Sequence, residues 1–320
     1  MRLATWNVNS VRTRVDRVIA FLKRENVDVL AMQEIKCRPE QFLLGAFAAA
    51  GYEVAVHGLN QWNGVAIASR VGLADVATSF PGQPAWAAKE GAEAVVEARA
   101  LGATVGGSAG AGSSTDHVMP PKAGAAGAAG SAAGPGLAAV GPGPVAVGPG
   151  PAAVGPGPAA TSEPVRLWSL YVPNGRELTH PHYEYKLAWL EALRHCVIDW
   201  LAADPDRALA LAGDWNVAPR DEDVWDMSVF EGATHVSAPE RAALAALAEA
   251  GLTEVTRERV TNYTYWDYQR LRFPRNEGMR IDFVYGSAAL AARVTGAAID
   301  RDERKGKGAS DHVPVIVDLA

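Results

Sequence analysis

The chain has 320 residues, 48% of them hydrophobic and 21% charged, and a formal net charge of −6. These proportions are ordinary for a soluble globular protein, and no apolar stretch reaches the roughly 18–20 residues that a membrane helix needs. The N-terminus lacks a secretory-signal pattern, and the two cysteines, Cys37 and Cys196, are far apart, which points to free thiols in a reducing, cytoplasmic setting rather than a disulfide framework.

Met1–Asn7 reads as a buried strand. Val15, Val18, Ile19 and Leu22 recur at helical spacing, so 12–25 is predicted helical. Strands follow at 27–32, 52–57, 64–69, 93–101 and 165–172. Residues 39–50 read as a helix with Pro39 in its first turn and Gly51 just past its end. A long helix over 182–203 carries Leu187, Leu190, Leu193, Val197 and Leu201 on one face. A strand at 208–213, a helix at 239–250 and strands at 280–286 and 313–319 complete the pattern. Strands and helices mix throughout, so the class is α/β or α+β.

One segment stands apart. From about 102 to 163 the chain is almost all Ala, Gly, Pro, Ser and Val, with three near-copies of a seven-residue unit, each ending Val-Gly-Pro-Gly-Pro. It has too few charges and aromatics to build a core that would offset its ordering entropy. It reads as a disordered insert between two strands that would otherwise form a hairpin, costing roughly 2–3 kcal/mol of loop closure. Its one short motif, Asp116-His117-Val118, identifies no partner.

The chemistry-bearing residues end apolar runs. Glu34 follows Met32-Gln33. Asp214 and Asn216 follow Leu209–Gly213, and their i, i+2 spacing in extended chain puts both side chains on one side. An Asp there can take a proton from a shared water while an Asn donates to an oxyanion. Ser310-Asp311-His312 precedes the last strand, and an Asp beside a His suits a cation ligand next to a general acid or base. Asp282 is the natural distant carboxylate to fix the His312 tautomer. A serine hydrolase lacks its Gly-x-Ser-x-Gly elbow, and a zinc site lacks Cys or His clusters at ligand spacing. Oxygen ligands converging at a sheet rim fit a hard cation and a phosphate. The acidic total does not exclude nucleic acid: residues 257–307 carry eleven basic and seven acidic side chains, an excess of four, and Arg12, Arg14 and Arg17 form a second basic group.

Read in order, the motifs resemble the exonuclease III family of Mg²⁺-dependent apurinic/apyrimidinic endonucleases, a branch of the endonuclease/exonuclease/phosphatase superfamily. They are Thr5–Arg12, Gln33-Glu34-Ile35-Lys36, Asn63–Ile67, Tyr171-Val172-Pro173-Asn174-Gly175, Gly213-Asp214-Trp215-Asn216, Tyr263–Tyr268, Arg280-Ile281-Asp282 and Ser310–Pro314. The resemblance covers all but the insert. It implies a four-layer αββα sandwich of two packed mixed sheets, a single catalytic domain interrupted by the insert. It also implies hydrolysis of duplex DNA, exonucleolytic from 3′ ends and endonucleolytic 5′ to abasic sites, by a cytoplasmic, nucleoid-associated monomer with no membrane contact. Mg²⁺, with Mn²⁺ as a substitute, would be held by Glu34 with Asn7 and Asp311 close by, and Asp214, Asn216 and His312 also count as ligand candidates. Asp214 would activate the water; Asn216 and His312 would stabilise the phosphorane-like charge, with Asp282 orienting His312. Tyr171 and Asn174 would grip the phosphate. Tyr265, Trp266 and Met279 would line a pocket for a flipped-out abasic sugar, and Arg12, Lys36, Arg176 and the 270–280 arginines would hold backbone phosphates. The alternatives are another phosphodiesterase of the superfamily, acting on RNA, nucleotides or a lipid or inositol headgroup, and a non-catalytic DNA-binding relative. The latter should have lost Glu34, Asp214 or His312, and all three are present.

Overall fold

The computed structural model describes residues 1–89, 91–107 and 163–320. Its elements in chain order are β1 (Arg2–Asn7), α1 (Val15–Arg24), β2 (Val29–Gln33), α2 (Leu44–Ala49), β3 (Glu53–His57), β4 (Val65–Ser69), β5 (Leu73–Ala77), β6 (Ala100–Val105), β7 (Val165–Tyr171), α3 (Pro181–Ala203), β8 (Leu209–Asp214), α4 (Ala238–Glu249), β9 (Thr253–Glu254), β10 (Asp282–Gly286), α5 (Ala288–Ala291), β11 (Val294–Ile299) and β12 (Val315–Leu319).

The strands form two six-stranded sheets, ordered β11-β12-β1-β2-β4-β3 and β5-β6-β7-β8-β10-β9. Each holds one parallel pair at its centre, β1 with β2 and β7 with β8, flanked by antiparallel neighbours. The period-2 pattern of the strands makes the layers. In β2, Val29 and Ala31 face the second sheet, while Leu30 and Met32 face outward onto Phe21 and Phe47 of α1 and α2. Leu101, Ala103, Leu167, Ala210 and Ala212 complete the layer between the sheets. On the far side Trp168, Leu170, Leu209 and Leu211 pack on Trp189, Leu193 and Val197 of α3 and Leu244 and Leu247 of α4. Helix, sheet, sheet, helix is the predicted four-layer sandwich.

Two local signals start the helices that cover the second sheet. In α3, Pro181 sits in the first turn and His180 Nδ1 accepts from the His182 N–H at 3.0 Å. In α4, Ser237 and Glu240 form a capping box, with the Ser237 N–H donating to Glu240 Oε2 at 3.1 Å.

Three expectations need correction. The helix predicted over 39–50 is a 3-10 turn, Pro39–Gln41, followed by the shorter α2. The strand predicted over 93–101 begins only at Ala100 and runs to Val105. Its earlier residues instead serve polar pairs: Arg99 Nε binds Glu97 at 2.6 Å, and Asn63 Nδ2 donates to Glu97 Oε1 at 3.0 Å. Consequently residues 102–105, assigned by composition to the insert, are ladder residues paired with β7. The remainder of the insert, including Asp116-His117-Val118 and the repeats, lies outside the described residues. Among those described, no helix is long and apolar enough to cross a membrane.

Candidate active site at the rim of both sheets

Two parallel strands end together, so each central pair delivers two side chains to one edge. Asn7 is in register with Gln33 on β1 and β2, and Tyr171 with Asp214 on β7 and β8. The antiparallel β10 starts at that same edge, with Asp282 opposite Asp214. Gly213 is required here, because a Cβ would collide with the Leu170 carbonyl. The sheets are pinned together just beneath the rim: Gln33 Nε2 donates to Thr5 Oγ1 at 3.1 Å and to Ser169 Oγ at 3.0 Å.

Residues just past the strand ends adopt left-handed backbone: Asn9 at φ 40°, Glu34 at 49°, Lys36 at 52° and Asn216 at 52°. Each such conformation costs of order 1–3 kcal/mol in a non-glycine residue and clusters at functional sites. Here it turns the side chains into the rim.

Glu34, Asp214 and His312 bring one ligand atom each within 4.8 Å of one another. Asn7 joins them, its Nδ2 donating to Glu34 Oε1 at 2.8 Å and to Asp214 Oδ2 at 2.9 Å. Its Oδ1 accepts from the Asn9 N–H at 3.0 Å, so the carboxamide is held from one side while its donors orient the two carboxylates. Asp311 stands beside this group, its Oδ1 held by Asn9 Nδ2 at 2.9 Å. Two carboxylates, an imidazole and a third carboxylate nearby form a donor set that can hold a divalent cation.

His312 Nδ1 meets Asp282 Oδ2 at 2.8 Å, and its Nε2 lies 3.8 Å from Asp214 Oδ2. Thr264 fixes Asp282 in turn: its hydroxyl donates to Asp282 Oδ2 at 2.7 Å and accepts the N–H groups of Ile281 and Asp282, both at 3.1 Å. The chain Thr264–Asp282–His312–Asp214 is fully desolvated. Burial would lower the His312 pKa, but facing Asp282 and Asp214 it is held well above 6.5. Burial raises the Asp214 carboxyl pKa towards neutrality, with Asp282 and Glu34 adding repulsion against the imidazole's opposing pull. Burial also keeps the Tyr171 phenol protonated, reinforced by Glu34, with the Arg99 guanidinium 4.8 Å above its ring opposing.

On the second-sheet side, Asn216 Nδ2 donates to the Val172 carbonyl at 2.9 Å, which commits one of its two donors. Its Oδ1 accepts from Asn174 Nδ2 at 3.2 Å and faces His235 Nε2 at 3.2 Å. The Tyr265 ring lies 4.8 Å from that of His312, with Met279 paired to its backbone.

Several predicted DNA contacts are placed differently. Trp266 is only 1% exposed, its ring edge-on to Phe273 and Tyr263, so it packs beneath the rim instead of facing a ligand. Lys36 pairs with Glu34 at 2.7 Å and Asn9 Oδ1 at 2.6 Å and leans into the site. Arg280 is wholly buried on Glu254 and Thr256 and is no free phosphate hook, while Arg272 and the exposed Arg275 both pair with Glu277. Arg12 and Arg176 are exposed. Asn9, Thr264, His235, Arg99 and Lys186 were not anticipated. Asn9 and Thr264 sit inside the Thr5–Arg12 and Tyr263–Tyr268 motifs, which could have flagged them; the others gain their roles only through contacts distant in sequence.

A fold and site of this kind define a phosphoesterase. The model of the Endonuclease/Exonuclease/phosphatase family matches residues 4–312, and the chain belongs to that family. It is 23% identical to Exodeoxyribonuclease III of Haemophilus influenzae over 98% of both chains. The match to Bacillus subtilis Exodeoxyribonuclease, at 29% identity, spans 48% of this chain and 59% of that protein. Among solved structures, the 3′ phosphatase NExo from Neisseria, bound to a product DNA hairpin, superposes with a TM-score of 0.75 at 27% identity, covering 100% of this chain and 99% of that one. An AP endonuclease from Archaeoglobus fulgidus gives 0.73 at 25% identity, with the same coverage.

Proposed function

We propose that the protein is a Mg²⁺-dependent DNA repair nuclease that hydrolyses phosphodiesters of duplex DNA, removing nucleotides from 3′ ends and cutting 5′ to abasic sites. One observation carries the reading. The buried Thr264–Asp282–His312–Asp214 chain and the cation-compatible Glu34 group converge on one rim beside Tyr171, Asn174 and Asn216. Relatives and neighbours named for exodeoxyribonuclease and AP endonuclease activity over nearly the full chain support DNA as the substrate.

Each group has work suited to its environment. Asp214, desolvated and eager for a proton, takes one from the attacking water. His312, its Nδ1 on Asp282, presents Nε2 to the phosphoryl oxygens as their charge grows, as does the free donor of Asn216. Tyr171, kept as a phenol, and Asn174 hydrogen-bond the phosphate. Glu34, with Asp311 beside it, would hold Mg²⁺, whose charge offsets the phosphate's and which keeps several waters of its own. Tyr265 and Met279 line the edge against which an extruded sugar would pack, and Arg12 and Arg176 contribute salt-dependent affinity. On this reading the enzyme acts in the cytoplasm, as a monomer and a single catalytic domain.

The test is a panel of labelled duplexes with an abasic site, a recessed 3′ hydroxyl or a 3′ phosphate, incubated with Mg²⁺ and with chelator. Cleavage or phosphate release in Mg²⁺ alone is expected. Inertness towards every duplex, with turnover of inositol phosphates or RNA, would replace this reading by the superfamily alternative.

A further inference from the structure

Lys186 and Glu240 are the most deeply buried ion pair among the described residues, with no exposed side-chain surface on either. An isolated buried charge is expensive, and a buried pair often contributes little net stability. Its position is what matters. Lys186 projects from α3 and Glu240 from α4, so the pair bridges two helices directly behind the rim.

An ammonium has three donors. One goes to the Asn216 carbonyl at 2.7 Å, one to the Asn174 carbonyl at 3.1 Å, and one to Glu240 Oε1. Glu240 Oε1 also accepts from Thr234 Oγ1 at 2.6 Å and from the His235 N–H at 3.0 Å. Thr234 Oγ1, its one proton directed to Glu240, also lies 3.1 Å from the Asn174 carbonyl. Three rim segments, each ending in a side chain of the Asn174–Asn216–His235 cluster, are therefore tied to one buried pair. The segments also fit tightly: Gly175 has φ 94°, and a Cβ there would lie 2.6 Å from Thr234 Oγ1 and 3.2 Å from the Lys186 stem.

We infer that Lys186, held by Glu240, is a positioning residue for the phosphate-gripping carboxamides: by binding the backbone carbonyls of Asn174 and Asn216 together, it sets the spacing of their side chains. This rests on the proposed nuclease function. Lys186 itself has no exposed surface and touches neither DNA nor the reacting atoms.

The experiment separates positioning from folding. In Lys186→Met with Glu240→Gln, both buried charges are removed and the carboxamide introduced on α4 keeps an oxygen for the capping bonds, while the Asn174 and Asn216 carbonyls and the His235 N–H lose their partners; a lower melting temperature is expected, and rates are compared at a temperature where circular dichroism shows both proteins fully folded. Single-turnover cleavage of abasic duplex should fall about 10- to 100-fold, the range that loss of an outer orienting partner causes at other sites, while KM for the duplex changes less than threefold. In an Asn174→Ala background the same pair of substitutions should cost less than it does alone, because one of the two positioned groups is already gone and only Asn216 remains to be misplaced. A folded double variant that cleaves at the wild-type rate overturns the inference, as does a full additive loss in the Asn174→Ala background. A wild-type protein inert towards DNA would instead overturn the nuclease reading.

Discussion

The two halves of the rim are built to opposite specifications. The half from the first sheet is open: the Glu34 side chain is 15% exposed and salt-bridged to Lys36, and Asp311 is half-buried on Asn9. The half from the second sheet is dry: Asp214 and Asp282 are each 1% exposed. Open carboxylates can hold a cation that keeps part of its water shell. Dry ones have their proton affinity set by neighbours, which acid–base work requires. His312 belongs to the chain entering the first sheet yet faces the carboxylates of the second, so it couples the halves.

Substitutions should separate the two specifications. Asp214→Asn removes the base from the dry half, and turnover should fall by at least about 10²–10⁴-fold at any Mg²⁺ concentration; single-turnover rates across a Mg²⁺ series would show it, and recovery at high Mg²⁺ would assign Asp214 to the open half instead. Glu34→Gln should behave the other way, raising the Mg²⁺ needed for half-maximal rate about 10- to 100-fold with substantial recovery at saturation. Thr264→Val leaves two buried N–H groups without their partner and Asp282 Oδ2 with His312 alone. A stability loss of about 1–3 kcal/mol by denaturant melts, with a several-fold slower turnover from a loosened His312, is expected.

The fourth effect concerns pH. Burial pushes the imidazole of His57 down to about 4 and those of His182 and His235 to about 3. For His182 the geometry agrees, because its Nδ1 accepts the Gly175 N–H at 3.1 Å and must stay unprotonated. Unfolded histidines take up protons near pH 6.5 while these remain neutral. The stability these three contribute should therefore be fully present above pH 6.5 and decline as pH falls towards 3, against the opposite trend of His312 and Asp214; melts from pH 7.5 to 4 of the wild type and of His182→Gln would show it, and identical pH profiles for the two would remove the assignment. The smallest effect belongs to the insert. Joining Gly107 to Glu163 through a short turn, with 108–162 deleted, should leave turnover within a few-fold, since the β6–β7 ladder is intact without them. A collapse in rate would give that segment a part in the reaction.

What was legible in the sequence follows the range of the interactions. Asp214 and Asn216 could be placed because strand alternation and the preceding apolar run are local. Ser310-Asp311-His312 could be placed because a strand follows at once. The partnership of His312 with Asp282 was readable as a demand for a carboxylate, although Thr264 behind it was not. Lys186 sits in a helix whose other residues gave a clear apolar face, and its destination on two loops and a second helix is a tertiary fact. Trp266 shows the opposite failure: an aromatic in the right motif, turned inward by Phe273 and Tyr263. Strand 93–101 was misplaced because alternation alone cannot tell a ladder from a segment committed to Glu97, Arg99 and Asn63.

The β6–β7 hairpin has an engineering consequence. Its ladder runs from the Ala100–Leu170 pair near the rim to the Val105–Val165 pair, with Tyr171 just beyond the rim end. Six strand steps at about 3.3 Å put its far end roughly 20 Å from the reacting groups. Val105 and Val165 are also direct cross-strand partners, so a guest whose two ends lie side by side can be spliced in without prising the sheet apart. A reporter domain or surface tether placed there would leave both termini of the enzyme free.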